Sequence, residues 1–264
     1  MKIGFIGGGN MGTAMLSGIL RQGICKKEEV IVSDLSLERL SYIKEKMGVE
    51  TTSDNKEAAS SAEIVILSIK PQFYEEVLDE VRECFTPEKI VVGIAPGKTV
   101  SWLEEKCVVP VKIFRLMPNT PAQVGEGMTA VCPNSRASEE DIKRICEITD
   151  SFGKTEVVPE RLMDAVGAVS GSSPAYVFMF IEAMADAAVA QGMARKQAYA
   201  FAAQAVLGSA KMVLETGMHP GELKDMVCSP AGTTIEGVRT LEKMSFRSAV
   251  YEALNACAEK GKTL

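Results

Sequence analysis

In the first 159 residues, short apolar runs rich in Val and Ile alternate with longer stretches whose apolar residues recur at helical spacing. Most of the runs are apolar at nearly every position, which is typical of strands buried on both faces. They predict seven strands: Lys2–Ile6, Val30–Ser33, Ile64–Ser68, Ile90–Ile94, Lys112–Leu116, Met128–Val131 and Glu156–Val158. Because strands and helices alternate, we expect residues 1–159 to form an α/β domain, a Rossmann-type doubly wound parallel sheet.

The helical stretches between the first strands have recognisable ends. Apolar or small residues within Met11–Ile19 recur at helical spacing, and Gly23 follows as a stop signal. A second helix is predicted near Ser36–Met47. Asp54 is the expected N-cap of a third helix, because Glu57 follows three residues later.

From about residue 160 the strand pattern disappears and alanine becomes frequent. Residues 183–210 contain 12 alanines, and alanine is a strong helix former. Its small side chain buries little area, so alanine-rich helices need partners on several sides. We therefore expect residues 160–264 to form an all-helical domain that also provides a dimerisation surface.

Composition argues against nucleic acid and against a membrane. The 264 residues carry a formal net charge of −6 without a cluster of Lys or Arg. The most apolar later run, Ala165–Ile181, is interrupted by Gly167, Gly171 and Pro174, so it is predicted to be too short and too broken for a membrane span. The N-terminus lacks the long apolar stretch of a signal peptide. We expect a cytoplasmic protein.

The cysteines and the single histidine restrict the chemistry. Seven cysteines are scattered without a CxxC pair, which predicts reduced thiols and neither disulfides nor a metal site. His219 is the one histidine, so a Ser–His–Asp triad is not favoured. Because His219 precedes Pro220 in a predicted loop, a structural hydrogen bond is favoured over catalysis.

A glycine-rich loop joins the first predicted strand to the first predicted helix. Gly7, Gly9 and Gly12 fit the pattern GxGxxG. Gly7 would permit the tight turn, Gly9 would let a diphosphate approach the backbone, and Gly12 would let the helix pack on the strand. Since strand, loop and helix are all in place, the motif predicts dinucleotide binding.

The end of the second strand bears on which dinucleotide is preferred. Asp34 lies 22 residues beyond Gly12, where an acid can accept hydrogen bonds from the ribose 2′-OH of NADH and repel the extra phosphate of NADPH. A turn acid at a helix start is an equally good interpretation, and Arg39 is near enough to offset the repulsion. Asp34 therefore favours NADH without excluding NADPH.

A second candidate site lies in the helical half. Thr233 and Glu236 fit a capping box at the start of a helix. Free N–H groups at such a helix start could accept a small carboxylate, but from the pattern alone a simple cap is favoured. A kinked helix–helix junction is predicted at Ser170–Ala175, which has the sequence SGSSPA.

Seven segments together resemble the pyrroline-5-carboxylate reductases, which reduce a cyclic imine to L-proline. The resemblance runs from Met1 to about Asn255. It rests on FIGGGNMG (5–12), SIKP (68–71), IAPG (94–97), RLMPNTP (115–121), SGSSPA (170–175), HPGELKD (219–225) and SPAGTTIEG (229–237).

The resemblance implies an NADPH- or NADH-dependent reductase of 1-pyrroline-5-carboxylate and assigns residues to two ligands. The implied cofactor contacts are Ile6, Gly7, Gly8, Gly9, Asn10, Met11, Gly12, Ser33, Asp34, Arg39, Asn55, Ser68, Ile69, Lys70, Pro71, Ala95, Pro96 and Gly97. The implied substrate contacts are Ser229, Gly232, Thr233 and Thr234. The Thr234 hydroxyl is expected to face the ring nitrogen as the catalytic contact. The resemblance also implies a homodimer with interleaved C-terminal helices, with a decameric ring as a larger assembly.

Three positions depart from the family's usual pattern. Asp34 stands where a small or polar residue is common, which puts a preference for NADPH in doubt. Ser173 and Ala231 each replace a glycine, and because both side chains are small we expect the fold to be kept. Lys70 is interpreted as a cofactor-loop residue and not as a Schiff-base lysine.

Other functions remain open at this stage. A 3-hydroxyacid dehydrogenase or a deazaflavin-linked oxidoreductase would share the two-domain plan. A reductase of six-membered cyclic imines is a narrower alternative. A non-catalytic dinucleotide sensor would bind the cofactor but turn over no imine.

Overall fold

The computed structural model describes residues 1–262, and its first part is built on one eight-stranded sheet. The strand order is β3-β2-β1-β4-β5-β6-β7-β8. The strands are β1 (Ile3–Ile6), β2 (Val30–Ser33), β3 (Glu50–Thr52), β4 (Ile64–Leu67), β5 (Ile90–Gly93), β6 (Lys112–Met117), β7 (Gly127–Pro133) and β8 (Gly153–Val157). Each of the seven predicted strands overlaps an observed one, although β8 begins three residues before the predicted start at Glu156. The doubly wound arrangement is confirmed.

Two features of the sheet differ from the prediction. The sheet is mixed, because β7 runs antiparallel to β6 and β8 runs parallel to β7. Only a short 3₁₀ turn, Thr120–Val124, joins β6 to β7, whereas a parallel connection needs a crossover of a dozen or more residues. The prediction also missed β3, whose three residues are polar and form the edge of the sheet.

Six helices connect these strands: α1 (Asn10–Arg21), α2 (Leu37–Met47), α3 (Asn55–Ser61), α4 (Tyr74–Val81), α5 (Val100–Cys107) and α6 (Glu139–Asp150). The helices predicted within Met11–Ile19 and near Ser36–Met47 are confirmed as α1 and α2, and so is the predicted start of α3 at Asp54. The Ser36 hydroxyl caps α2 by accepting from the N–H of Arg39, and the Asp54 carboxylate caps α3 by accepting from two backbone N–H groups.

The core lies on both faces of the sheet, as the apolar strands predict. Along β1, Ile3 and Phe5 belong to a cluster that contains Met15 of α1 and Ile43 of α2. Ile6 faces the opposite way, into a second cluster that includes Tyr74, Leu78 and Leu103. Alternate side chains of each strand thus pack against different helices, which fixes the register of the sheet.

The chain divides into two compact units, and each is described by itself. The first comprises Met1–Ser172 together with the chain from Cys257, and the second is Ser173–Ala256. The elements from residue 163 are α7 (Met163–Val166), a π-helical segment Gly167–Ser172, α8 (Ser173–Ala190), α9 (Arg195–Thr216), α10 (Pro220–Val227), α11 (Thr233–Lys243) and α12 (Phe246–Gly261). The predicted domain boundary at residue 160 stays a prediction, and Thr263 and Leu264 lie outside the described residues.

The helical unit leaves large apolar side chains exposed. Phe178, Met179, Phe201 and Leu214 are each more than 60% exposed. Glu160–Ala190, 31 residues in one helical stretch, is long and apolar enough to cross a membrane on length and composition alone. The expectation of a broken, short run is therefore wrong, because a π-helical segment carries the chain through the glycines without ending the helix.

Candidate active site

The glycine-rich loop between β1 and α1 leaves an open approach to its backbone. Gly7 has φ +101°, and a Cβ there would lie 2.7 Å from the carbonyl oxygen of Ser68. A Cβ on Gly12 would lie 2.6 Å from the carbonyl oxygen of Gly7, so only glycine lets α1 start this close to the turn. A Cβ on Gly9, the N-cap of α1, would meet nothing within 4 Å, and no side chain caps this helix start. The loop and helix N-terminus therefore fit the diphosphate of a dinucleotide.

A cavity of about 580 Å³ opens beside this loop, where β1, β2 and β4 end. Eight of the predicted cofactor residues line it: Ile6, Gly7, Gly9, Asp34, Asn55, Ser68, Ile69 and Lys70. Its wall also contains five residues that the sequence interpretation missed: Leu35, Phe73, Glu76, Val77 and Glu80. The last four recur at three- and four-residue spacing, which is the signal of one helix face and could have identified them.

Polar side chains of the cavity are bonded to one another and to the glycine loop. The Ser68 hydroxyl donates to the carbonyl oxygen of Gly7 at 2.6 Å. The Ser33 hydroxyl donates to Oδ1 of Asn55 at 2.8 Å, and Nδ2 of Asn55 donates to Oε2 of Glu80 at 2.8 Å. The first bond ties the end of β4 to the glycine loop, and the other two tie the end of β2 to α3 and α3 to α4.

Asp34 and Arg39 both hold the glycine loop from the β2 side. Oδ2 of Asp34 accepts from the N–H of Gly8 at 2.8 Å, and Oδ1 accepts from the N–H of Ser36 at 2.9 Å. The Arg39 guanidinium donates through Nε to the carbonyl oxygen of Gly8 and through a terminal nitrogen to the Thr13 hydroxyl. Asp34 thus lines the cavity, whereas Arg39 does not line it and its guanidinium is bonded to Gly8 and Thr13.

The remaining predicted cofactor residues lie outside the lining of this cavity. Their positions follow from the fold: Gly8 in the loop, Asn10, Met11 and Gly12 in the first turn of α1, Ser33 at the end of β2, Arg39 on α2, Pro71 at the start of a 3₁₀ turn, and Ala95, Pro96 and Gly97 after β5. Their contacts with a cofactor stay predictions.

In the helical unit, the predicted substrate residues form one turn before and into α11. The N–H of Gly232 donates to the carbonyl oxygen of Ser229 at 3.0 Å. Gly232, not Thr233, is the N-cap of α11, so the predicted capping box is wrong. Thr233 is already helical, and Glu236 pairs with Arg239 at 3.4 Å instead of reaching back. Without a side-chain cap, the first N–H groups of α11 are left for another acceptor.

Two other sequence motifs have structural roles. Nδ2 of Asn119 donates to the carbonyl oxygen and the hydroxyl of Ser170, which anchors the π-helical segment. His219 is the N-cap of α10, and its Nδ1 accepts from the N–H of Gly221 at 3.0 Å. The favoured interpretation of His219 as a structural hydrogen-bond partner is confirmed. Within residues 1–262, no three or more His, Cys, Asp and Glu side chains form a group that could hold a metal ion.

Comparison with known proteins finds a family model for each half of the chain. A family model described as "Pyrroline-5-carboxylate reductase dimerisation" matches residues 160–264, and one described as "NADP oxidoreductase coenzyme F420-dependent" matches residues 2–97. The pyrroline-5-carboxylate reductase of Escherichia coli is 50% identical over 263 residues, 100% of this chain and 98% of the relative. That of Methanosarcina acetivorans is 45% identical, over 100% of this chain and 97% of the relative.

Solved structures agree. A pyrroline-5-carboxylate reductase from Coxiella burnetii superposes with a TM-score of 0.91 at 34% identity, covering 99% of this chain and 97% of that one. The Plasmodium falciparum pyrroline carboxylate reductase with NADP bound gives a TM-score of 0.91 at 35% identity, covering 100% of this chain and 97% of that one. The chain therefore belongs to the pyrroline-5-carboxylate reductase family.

Proposed function

We propose that Asp34, the glycine loop and the Gly232–Thr234 turn give this reductase its ligand specificity. The chain is an NAD(P)H-dependent oxidoreductase that reduces 1-pyrroline-5-carboxylate to L-proline, the role of its family in proline biosynthesis. The observation that carries this function is the 50% identity to the Escherichia coli enzyme over the whole chain. The open cradle at Gly9 supports the requirement for a dinucleotide.

The first unit provides the cofactor site. The loop from Gly7 to Gly12 and the N-terminus of α1 hold the diphosphate, because backbone N–H groups and the helix dipole favour negative charge. The carboxylate of Asp34 lies in the same cavity, where it accepts from a ribose 2′-OH and repels a 2′-phosphate. Since Arg39 is bonded to Gly8 and Thr13, its cation is held away from a 2′-phosphate. The chain therefore prefers NADH.

The helical unit provides the substrate contacts. The uncapped N–H groups at the start of α11 hold the carboxylate of the substrate, together with Ser229. The Thr234 hydroxyl hydrogen-bonds the ring nitrogen and fixes the orientation of the C=N bond. Thr234 is half-buried, so part of its surface is open to a small ligand.

When bound, the reduced nicotinamide supplies a hydride. This hydride adds to the carbon of the C=N bond, the π electrons move to nitrogen, and nitrogen takes a proton from water, which gives the secondary amine of proline. The protein positions the two reactants, and correct positioning alone is worth about 7–11 kcal/mol. No histidine or cysteine is required, because the imine nitrogen exchanges protons with solvent.

The exposed apolar helices support assembly. Phe178, Met179, Phe201 and Leu214 would be covered by a second copy of the chain, in a homodimer with interleaved C-terminal helices. This accounts for the apolar stretch Glu160–Ala190 without a membrane. A decameric ring of dimers and a cytoplasmic location complete the proposal, with no nucleic-acid partner.

Initial rates with 1-pyrroline-5-carboxylate and either NADH or NADPH test this function. We expect turnover with both and a higher kcat/KM for NADH. Thr234→Ala should lower kcat/KM at least tenfold, about 1.4 kcal/mol, while Thr234→Ser, which keeps the hydroxyl, should retain most activity. Equal activity of Thr234→Ala and the wild type would refute the role of Thr234. Binding of cofactor without any turnover would leave a dinucleotide sensor.

A further inference from the structure

The side chain of Tyr74 joins the carboxyl ends of two neighbouring strands. Tyr74 is the first residue of α4 and is 0% exposed. Its hydroxyl donates to the carbonyl oxygen of Leu67, at the end of β4, at 2.5 Å. The same oxygen accepts from the N–H groups of Ile94 at 2.9 Å and Ala95 at 3.1 Å, directly after β5.

These bonds lie where the pairing of β4 with β5 stops. The last paired residues are Leu67 and Gly93. Beyond these residues the polypeptide leaves the sheet after each strand, as segment 68–71 after β4 and segment 95–97 after β5. Both segments carry predicted cofactor contacts. The Tyr74 hydroxyl therefore bonds to the ends of both strands, at the point where the hydrogen bonds between β4 and β5 stop. It thereby fixes the spacing between the two segments.

The environment of Tyr74 suits a hydroxyl that holds two segments in place and does not suit one that exchanges protons in catalysis. Burial raises the pKa of the phenol, so the hydroxyl remains protonated and can donate to Leu67 while it accepts two N–H groups. The ring packs in the apolar cluster with Leu78 and Leu103 and lies 6.4 Å from the ring of Trp102. Both ends of the side chain are thus held in place.

We propose that Tyr74 is a positioning residue for the nicotinamide cofactor, acting through the segments 68–71 and 95–97. The inference rests on the proposed function, because it assumes that these two segments hold NAD(P)H. A site that is already ordered binds its ligand without the cost of ordering loops. Loss of the hydroxyl would release both segments and weaken cofactor binding, while the turn that holds the substrate carboxylate keeps its own bonds.

Tyr74→Phe tests this, because it keeps the ring and removes all three bonds. Trp102 is the only tryptophan in the chain, so quenching of its fluorescence by NADH reports cofactor binding without any turnover. We expect the Kd for NADH to rise about tenfold, the KM for NADH to rise with it, and the KM for 1-pyrroline-5-carboxylate to change less than about twofold. Val81→Ala, a truncation at the other end of α4 in the same apolar cluster, is the control for general destabilisation.

An unchanged Kd in Tyr74→Phe would overturn the proposal, and so would an equal rise in Val81→Ala. Amide hydrogen exchange on the wild type gives a test that needs no variant. The N–H groups of Ile94 and Ala95 should exchange as slowly as those of the preceding strand, and rapid exchange would contradict a firm hold of this segment by the Tyr74 hydroxyl. Failure of the reductase function itself would appear separately, as a wild type that binds NADH but does not reduce the imine.

Discussion

An ion pair with one buried partner joins β6 to the segment that follows β8. Arg115 lies on β6 with its side chain only 4% exposed, and its terminal nitrogen is 3.0 Å from Oε1 of Glu160. The same carboxylate oxygen accepts from the N–H of Val100 at 2.7 Å, at the start of α5. Nε of Arg115 has no hydrogen-bond partner among the described residues. Glu160 is therefore the counter-ion of an almost completely buried guanidinium group.

The expected cost of removing that counter-ion follows from these exposures. Breaking a fully buried pair by removing one partner costs about 3–5 kcal/mol. Glu160 is 34% exposed, and solvent screening there reduces the figure, so we expect Glu160→Gln to cost about 2–3 kcal/mol. For a chain of this length that lowers Tm by roughly 5–10 °C. In Arg115→Met/Glu160→Gln the unpaired charge is gone, so we expect the double variant to be more stable than Glu160→Gln by about 1 kcal/mol or more.

Urea unfolding at one fixed protein concentration measures these differences, because assembly makes stability depend on concentration. Glu156→Gln is the matched control, since Glu156 is an exposed glutamate of β8, four residues before Glu160. We expect the free energy of unfolding of this variant to lie within about 0.5 kcal/mol of the wild-type value. The reasoning fails if Glu160→Gln is as stable as this control, or if the double variant is no more stable than Glu160→Gln.

Three further predictions concern the cofactor site, the substrate turn and pH. Asp34→Ser should shift the ratio of kcat/KM for NADPH over NADH upward at least tenfold, about 1.4 kcal/mol; an unchanged ratio would show that Asp34 is only a turn acid. Ala231 has φ +56°, a left-handed backbone conformation that is strained for a residue with a side chain. In urea unfolding, Ala231→Gly should therefore stabilise the protein by up to about 1 kcal/mol and Ala231→Val should destabilise it by about 1–2 kcal/mol. Equal effects of the two variants would refute backbone strain at this position. Burial raises the pKa of Asp141, but hydrogen bonds from Lys112 and Ser138 outweigh it and hold the pKa below its ordinary value. The stability from Asp141 is therefore present above about pH 4 and lost as the pH falls through the lowered pKa. Urea unfolding should find Asp141→Asn less stable than the wild type at pH 7, with a difference that shrinks as the pH is lowered below about 4; a constant difference would contradict this.

Local patterns predicted the parts of the structure that local forces determine. The β1–loop–α1 unit follows from consecutive residues, because Gly7 must turn with a positive φ and Gly12 must lie against the turn. The start of α3 follows in the same way from Asp54, whose carboxylate accepts two N–H groups. The glycine-rich turn and the two helix starts could therefore be placed from sequence.

Tertiary contacts decide what the patterns missed. The direction of β7 depends on the short connection from β6, which an apolar run does not reveal. β3 pairs with β2 at the edge of the sheet, and its polar residues carry no strand signal. The Thr233–Glu236 pattern fits a cap, yet the helix starts one residue earlier than that pattern requires. The role of Tyr74 depends on bonds to Ile94 and Ala95, which lie 20 and 21 residues away in the chain and come close to Tyr74 only in the folded sheet.

The central claim is that this chain transfers a hydride from a nicotinamide to the C=N carbon of 1-pyrroline-5-carboxylate. NADH that carries deuterium on the transferred position of C4 tests it most directly, with the product analysed by mass spectrometry. We predict L-proline that carries one deuterium on the former imine carbon, formed in proportion to the NADH oxidised. Oxidation of NADH without labelled proline, or tight NADH binding with no product, would contradict the account.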